Sequence, residues 1–419
     1  MHFYGDARTR RAIRAKEPMV LLYGGFEGFE NYGDVLQLTS TISFHRKTTG
    51  LRPILVVSLA SCLSADVPEQ LRAKYDVDGV IFEDGELLDV SALELEPLTY
   101  VQAGALLHVY GGGYFNRYWG ARRAFVCEQL IFRLHVADYV MSGLQVDDVG
   151  AAQLEKLFSL KRPLVIGGRD ARSVELLKSV SPPDAVEFSF DDAIESIEVI
   201  QEQLARADGW ANTPRHAIGL HANITREYMS PDQAGAVETA FSAVIRRWPE
   251  RPLTMLQAYN DRRGLVQDTL ETISTLDILG RLTSFGVVDL ATLSARPAPG
   301  PLELTAVARS LAAIDVVVAC SYHVSLTMNL LERPTFLIAS NDYYAAKRAA
   351  LGLPVSIDEF LDDPLPSSTD YGDERRRRRQ WLDRLTQTIA GRHGRQKRAK
   401  IIRERQAIVA GVAEKYFLS

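Results

Sequence analysis

Cysteine is scarce in this chain. Cys62, Cys127 and Cys320 are its full set in 419 residues, widely scattered and without a CxxC pair. That excludes a disulfide framework and a cysteine-based zinc site. Long apolar runs are also lacking. Stretches such as Val316–Cys320 are strand-sized, far short of the roughly 20 residues a membrane helix requires. The segment Met1–Pro18 carries Arg8, Arg10, Arg11, Arg14 and Lys16, with none of the apolar stretch of roughly 7–15 residues that marks a secretory signal. The expectation is a soluble, cytoplasmic protein. No HExxH, zinc spacing or D-x-D set follows a strand. The acid pairs Asp147-Asp148 and Asp191-Asp192 are adjacent, so their side chains point apart in a strand. No metal and no cofactor is expected.

The body of the chain is short of positive charge. Between Glu374 and Gln406 stand 13 Lys/Arg against 3 Asp/Glu, which leaves 35 basic and 50 acidic residues elsewhere. Such a body argues against a nucleic-acid groove across the core. The run Arg375–Arg379 falls on an expected helix whose apolar side is Trp381, Leu382, Leu385 and Ile389. Its arginines form either a solvated face or a peripheral contact with anionic lipid head groups, where each basic residue is worth about 1 kcal/mol.

What is present is ordinary for a globular protein, with 46% hydrophobic and 24% charged residues. A length of 419 residues predicts two domains. Apolar strands alternate with amphipathic helices, the pattern of helix-covered parallel sheets. Strands are expected at Met19–Tyr23, Pro53–Leu59, Gly79–Phe82, Leu106–Val109, Tyr139–Met141 and Pro163–Ile166. Phe190–Asp192 closes the first half. The helix Ala193–Arg206 follows, with Ile194, Ile197, Ile200 and Leu204 on one face. The polar stretch 208–215 is the expected linker between an N-terminal domain, 1–207, and a second domain, 216–370. The second series has strands at His216–Leu220, Leu253–Gln257, Ser284–Val287, Asp315–Ala319 and Pro334–Ile338. Residues 371–419 are expected to be helical and to pack back on the first domain. Three first-half strands run into glycine turns, Gly24-Gly25, Gly111-Gly112-Gly113 and Gly167-Gly168, which suggests a crevice lined by backbone amides.

The motifs along this frame come in a recognisable order: Asn31-Tyr32-Gly33-Asp34, Gly111-Gly112-Gly113, Gly143-Leu144-Gln145, Arg169-Asp170-Ala171-Arg172-Ser173, Asp191-Asp192, then Ser321-Tyr322-His323 ahead of Arg333-Pro334. This order resembles the polysaccharide pyruvyltransferase family over residues 24 to about 353. The resemblance implies two Rossmann-like domains facing across a cleft, of the glycosyltransferase-B type. It also implies transfer of a pyruvyl group from phosphoenolpyruvate to a sugar, often a lipid-linked precursor of a cell-surface polysaccharide. One position departs. Many members have arginine two residues before the late histidine, where this chain has Ser321.

Within that resemblance each residue has an expected role. His323, just past a strand end, is the proton donor, because an imidazole exchanges protons near neutral pH. A hydrogen-bonded histidine capping the next helix is the structural alternative. Arg169, after a glycine turn and before a helix, is the expected anion clamp, with an ion pair to Asp170 or Asp192 as its alternative. Arg226 and Arg262 are candidates for the cation absent at Ser321. Asn31 and Asp34 are able to bind sugar hydroxyls, and Asp34 to act as base, or both simply cap a helix. Gly112 and Gly113 allow close backbone approach, and the aromatics Tyr114, Phe115, Tyr118 and Trp119 are candidates to stack on the acceptor sugar. Ser321 and Tyr322 border the same site. Cys320, beside this motif, is read as a small core residue rather than a nucleophile. A nucleotide-sugar glycosyltransferase and a non-catalytic glycan-binding protein remain open as alternatives.

Overall fold

The structure is a computed structural model and describes residues 1–14, 17–26, 31–58, 67–83, 95–98, 105–136, 138–206, 216–222, 233–259, 285–291, 304–339, 341–366, 371–392 and 406. Its first half contributes β1 (His2–Gly5), β2 (Met19–Gly24), β3 (Arg52–Ser58), β4 (Gly79–Glu83), β5 (Glu96–Pro97), β6 (Ala105–Tyr110), β7 (Asp138–Leu144), β8 (Ile166–Gly168) and β9 (Val186–Phe188). The helices among them are α1 (Ala7–Arg14), α2 (Tyr32–Phe44), α3 (Val67–Lys74), α4 (Gly120–Arg133), α5 (Asp148–Leu160), α6 (Ala171–Val180) and α7 (Ile194–Arg206). The strands form one sheet in the order β5-β1-β4-β3-β2-β6-β7-β8-β9.

The second half contributes β10 (Ala217–His221), β11 (Leu253–Gln257), β12 (Phe285–Asp289), β13 (Ile314–Ala319) and β14 (Thr335–Leu337). They form a second sheet, β12-β11-β10-β13-β14, parallel throughout. Its helices are α8 (Gln233–Arg247), α9 (Thr305–Leu311), α10 (Tyr322–Leu330), α11 (Asp342–Ala350) and α12 (Ile357–Asp362). A last helix, α13, covers residues 371–392. The stretch 208–215, read above as the linker, lies outside the described residues.

Both sheets repeat one logic. The leading parallel strand, β2 or β10, sits in the middle; the next strands extend to one side and the later ones to the other. This is the doubly wound Rossmann-like order, and it leaves a crevice where the direction of winding reverses, between β2 and β6 and between β10 and β13. The chain is therefore two Rossmann-like domains in the glycosyltransferase-B arrangement. The strands are near-continuous apolar runs, Val20-Leu21-Leu22 against Leu106-Leu107 in one sheet and Val316-Val317-Val318 in the other, because helices cover both faces. One element departs from the parallel pattern. β1 is antiparallel to β4 and to β5. Its short half-buried alternation, with Phe3 inward, leaves too few apolar residues to signal a strand in sequence.

The cores explain which helix goes where. Val126, Leu130, Ile131, Leu154 and Phe158 of α4 and α5 pack on one face of the first sheet. Val35, Leu38 and Ile42 of α2 cover the other, together with Trp381, Leu385 and Ile389 of α13. Ile194, Ile197 and Ile200 of α7 form the apolar face their spacing predicts, but they join the second core, against Val307 and Leu311 of α9. Tyr32 and Leu36 of α2 reach into that same core.

The arginine run on α13 is largely a structural device. Arg378 is buried and donates to Asp192 at 2.7 Å, Glu195 at 2.7 Å and the Ser189 carbonyl at 3.1 Å. Arg375 pairs with Glu198 and donates to Gln201, and buried Arg392 donates to Asp138 and the Ala105 carbonyl. Arg376, Arg377 and Arg379 stay at the surface beside Asp373 or Glu198. Two members of the run thus hold α13 to the first domain and α7. No helix among the described residues is long and apolar enough to cross a membrane.

A buried polar chain runs through β6 and β7. His45 Nε2 lies 2.8 Å from His108 Nδ1, His108 Nε2 lies 2.8 Å from Ser142 Oγ, and Ser142 donates to Asp192 Oδ2 at 2.6 Å. Because the carboxylate only accepts, Ser142 accepts from His108 Nε2–H, and His108 Nδ1 accepts from His45 Nε2–H. Burial pushes the His45 pKa down to about 3, and burial followed by the neighbouring His45 and Arg378 pushes His108 well down too. Both imidazoles are therefore neutral in the fold. A base whose folded pKa is depressed stabilises the fold above its unfolded value, and that stability is lost as pH falls through it. The urea midpoint should hence drop as pH falls below the unfolded histidine value of about 6.5. A flat profile through that window would mean that the pair takes up protons in the fold as readily as in the unfolded chain.

Candidate functional site

The two winding reversals are brought together by α2 and α10. α2 starts after β2, with Asn31 as its cap, accepting from the Gly33 amide at 3.1 Å. The Tyr32 amide donates to the Ala258 carbonyl at 2.8 Å, and Tyr32 Oη lies 3.0 Å from Thr327 Oγ1 on α10. α10 starts after β13, and Ser321 caps it by accepting from the Val324 amide at 3.3 Å. His323 follows in the first turn. Its imidazole rests on the backbone of Gly33, so closely that a Cβ there would stand 1.9 Å from Nδ1. The glycine of the first motif is thus the seat of the last motif's histidine. Gly33→Ala should push the imidazole aside and cost about 1–3 kcal/mol, the usual penalty of an overpacked contact. Adding His323→Gly should restore the melting temperature but not activity. If Gly33→Ala alone melts like the wild type, the two residues do not touch.

The charges behind His323 are buried. His323 Nε2 lies 3.5 Å from Asp191 Oδ1, longer than an ordinary hydrogen bond, a spacing that ligand-free catalytic pairs often show. The same Asp191 oxygen accepts from Gln37 Nε2 at 3.0 Å and the Ala193 amide at 2.9 Å. The other oxygen meets Arg169 at 3.1 Å. A second Arg169 nitrogen donates to Gln145 Oε1, and the guanidinium lies 4.1 Å from the centre of the Tyr322 ring. Burial alone would raise the Asp191 pKa; His323 and then Arg169 outweigh it and hold the carboxyl well below the usual range. The adjacent Asp192 turns the other way, to the Gly111 amide at 2.6 Å, Ser142 and Arg378. The positive φ of Phe190, 57°, marks the bend just before the pair.

Opposite this cluster lies the glycine turn after β6. Gly111 and Gly112 have φ of 66° and 81°, a conformation that favours glycine. A Cβ on Gly113 would stand 2.7 Å from both Gln145 Oε1 and Tyr343 Oη and 3.5 Å from Arg169. Tyr343 belongs to α11 of the second domain and donates to the Gly113 carbonyl at 2.9 Å. Lys347, one turn further along α11, is half-buried with Nζ 4.0 Å from the Tyr343 ring centre, 4.9 Å from Tyr344 and 5.9 Å from Tyr322. Asp34, in the first turn of α2, has its carboxylate where a Cβ on Gly25 would be, at 2.5 Å, and lies within electrostatic range of Lys347.

Several expectations change against this geometry. Arg169 is in place, but two of its nitrogens are engaged; its partner is Asp191, while Asp170 caps α6 and Asp192 faces Arg378. Asn31 and Ser321 both act as helix caps. Tyr114 and Phe115 are core residues and do not form an acceptor face: the Gly112 turn folds the Tyr114 ring back, and its hydroxyl donates to the Tyr110 carbonyl. Tyr118 is exposed. Cys320 is buried in a further core cluster of the second sheet, with Val316, Val318 and Phe241. Arg226 and Arg262 lie outside the described residues. Gln37, Asp191 as partner of His323, Tyr343 and Lys347 were missed. The first two stood in or beside quoted motifs; the last two carry no motif. Among the described residues no group of three His, Cys, Asp or Glu side chains is set to hold a metal ion.

The constellation is an imidazole at a domain seam, 3.5 Å from a buried carboxylate that is itself paired with a buried guanidinium.

No family model and no curated protein matches the sequence. Solved structures do resemble the fold. A UDP-GlcNAc 2-epimerase from Neisseria meningitidis bound to UDP-GlcNAc is 11% identical, with 82% of this chain and 90% of that chain covered and a TM-score of 0.48. The UDP-N-acetylglucosamine 2-epimerase from Rickettsia bellii is 10% identical over 96% and 100% of the two chains, with a TM-score of 0.43. The wall teichoic acid polymerase TagF is 10% identical over 90% of this chain and 83% of that chain, with a TM-score of 0.35.

Proposed function

We propose that this protein is a sugar-directed transferase that moves the enolpyruvyl group of phosphoenolpyruvate onto two hydroxyls of one sugar, with His323 as the proton carrier. One observation carries the reading. The motifs that resemble the pyruvyltransferase pattern, dispersed from Asn31 to His323, meet at one place: His323 on Gly33, Asp191 between His323 and Arg169, Arg169 on Gln145, and Gly113 beside both.

In this reading the His323 imidazolium protonates the methylene carbon of the donor, which becomes a methyl group. The central carbon turns electrophilic and bonds to the first sugar oxygen, and the hydroxyl proton returns to His323. The second hydroxyl oxygen bonds to the same carbon as its bond to the phosphate oxygen breaks. Phosphate departs with the second proton, and a cyclic ketal is left. Asp191 orients the imidazole and stabilises its charged form. Asp34 remains a second candidate for the base.

The test is direct. The purified protein is titrated with phosphoenolpyruvate and with a panel of nucleotide sugars, and phosphate release is followed with candidate glycans. Phosphoenolpyruvate should bind, and phosphate should appear only when an acceptor is present. Binding of a nucleotide sugar in its place would put the chain among glycosyltransferases; binding of neither would point to a non-catalytic glycan-binding protein.

A further inference from the structure

Asp192 sits in a socket assembled from three parts of the chain. Its Oδ2 accepts from the Gly111 amide and from Ser142 Oγ, each at 2.6 Å, and its Oδ1 accepts from Arg378 at 2.7 Å. The carboxylate rests on Gly143, where a Cβ would stand 2.5 Å from Oδ2. The glycine of the Gly143-Leu144-Gln145 motif is thus the seat of Asp192, much as Gly33 is the seat of His323. Arg378 is the part of the socket that comes from outside the two sheets. Its guanidinium also donates to both oxygens of Glu195, at 2.7 and 3.1 Å, and to the Ser189 carbonyl at 3.1 Å. One side chain therefore fixes residues 189, 192 and 195, on either side of Asp191. The helix that supplies it spans the seam. Tyr371, the first residue of α13, accepts from Asn329 of α10, the helix of His323, and donates to the Leu351 carbonyl at 3.3 Å. Further along α13, Trp381, Leu385 and Ile389 pack on the first sheet. Arg378 falls between these two anchorages.

We propose that Arg378 is a positioning residue of the site: by locking Asp192 it holds Asp191 toward His323 and keeps the Gly111 turn in place. The inference rests on the transferase reading only for what the positioned groups do. Two features make Asp192 the transmitting group. Consecutive Cα atoms are fixed about 3.8 Å apart, so a backbone shift that frees Asp192 from its socket also moves Asp191. The Gly111 amide, for its part, has two acceptors, Asp192 Oδ2 and the Ser142 carbonyl at 2.9 Å. A carboxylate this buried takes up a proton once its counter-charge is gone, and the amide then relaxes onto the carbonyl. That shift moves the start of the turn that carries Gly112 and Gly113.

The Gly111 amide proton reports the lock directly, because a short bond to a carboxylate deshields it. In full-length protein labelled with [15N]glycine, Arg378→Met should move that signal upfield, and Asp192→Asn should do the same. Combining the two should add little, since both act on one bond. Arg392→Met is the control. Arg392 is another buried arginine of α13, and it donates to Asp138 and the Ala105 carbonyl. Those residues open β7 and β6, about 20 Å from the glycine turn. The control should melt lower yet leave the Gly111 signal and turnover unchanged. In acceptor-dependent phosphate release, Arg378→Met should lose roughly tenfold to a hundredfold in kcat, the cost of groups displaced by about 1 Å, with KM little changed. Arg378→Lys, which keeps the charge without the fork, should fall between, and it carries the test if the methionine form does not fold. An unmoved Gly111 signal in Arg378→Met, an equal displacement in Arg392→Met, or additive effects of the Arg378 and Asp192 changes overturns the proposal. The two readings fail separately. A Gly111 signal displaced as stated, in a protein that forms no ketal, leaves the positioning standing and removes the transferase. Ketal formation by a protein whose Gly111 amide ignores Arg378→Met does the reverse.

Discussion

Replacing His323 with alanine should reduce turnover by about 10²–10⁴ while leaving the fold intact, the usual cost of removing a positioned general acid. The fold should survive because little depends on the imidazole. The helix that carries it is capped by Ser321, and Asp191 keeps Gln37, Arg169 and the Ala193 amide when His323 is gone. The side chain is 14% exposed, so its removal leaves a dent at the seam and not a cavity in a core. Chemistry, by contrast, has no substitute at this position. The other imidazoles in the first domain's interior, His45 and His108, are buried at β6 and neutral. Acceptor-dependent phosphate release and a thermal melt on the same preparation check both halves. Near-normal turnover would make His323 a seam residue and remove the proton carrier from the proposed reaction.

Much of this architecture was legible because its signals are local. A strand such as Met19–Gly24 is a continuous apolar run ending in glycine, and the face Ile194, Ile197, Ile200 declares itself by spacing. What that face packs against is a long-range matter, and the second core rather than the first receives it. The site divides along the same line. Gly33, Gly113, Arg169 and His323 stood out because strand ends and glycine turns are where such folds place ligands. The partner of Arg169 did not, since Asp170, Asp191 and Asp192 are all near enough in sequence. Helix capping takes Asp170 and Arg378 takes Asp192, and neither was visible without the packing of α6 and α13. Lys347 gave no signal at all: on α11, Asp342-Tyr343-Tyr344-Ala345-Ala346-Lys347 reads as an ordinary surface helix. Only the packing of α11 over the Gly113 turn brings it to the seam.

Asp191 is where the stability of the fold and the proposed chemistry meet, and its substitution should damage both. Asp191→Ala leaves Arg169 charged and buried with no counter-ion, a change that typically costs about 3–5 kcal/mol. Asp191→Asn keeps the volume and one acceptor oxygen, so it should cost less while losing the carboxylate charge 3.5 Å from His323 Nε2. Turnover of the asparagine form should fall with the histidine still in place. The pH dependence gives the sharper check. Asp191 has a folded pKa held below its unfolded value. Its contribution is therefore complete above the unfolded aspartate value of about 3.9 and is lost as pH falls toward the folded one. Asparagine has no such titration. Urea unfolding of the two proteins across this range should show a stability gap that is constant near neutrality and narrows in acid. Arg169→Met in the Asp191→Asn background should recover part of the lost stability, because it removes the stranded charge. A gap that stays the same down to the lowest pH at which both proteins fold would mean that Asp191 titrates in the fold as it does in the unfolded chain. Asp191 would then act as a hydrogen-bond partner only, and neither the ion pair with Arg169 nor electrostatic support of His323 would stand.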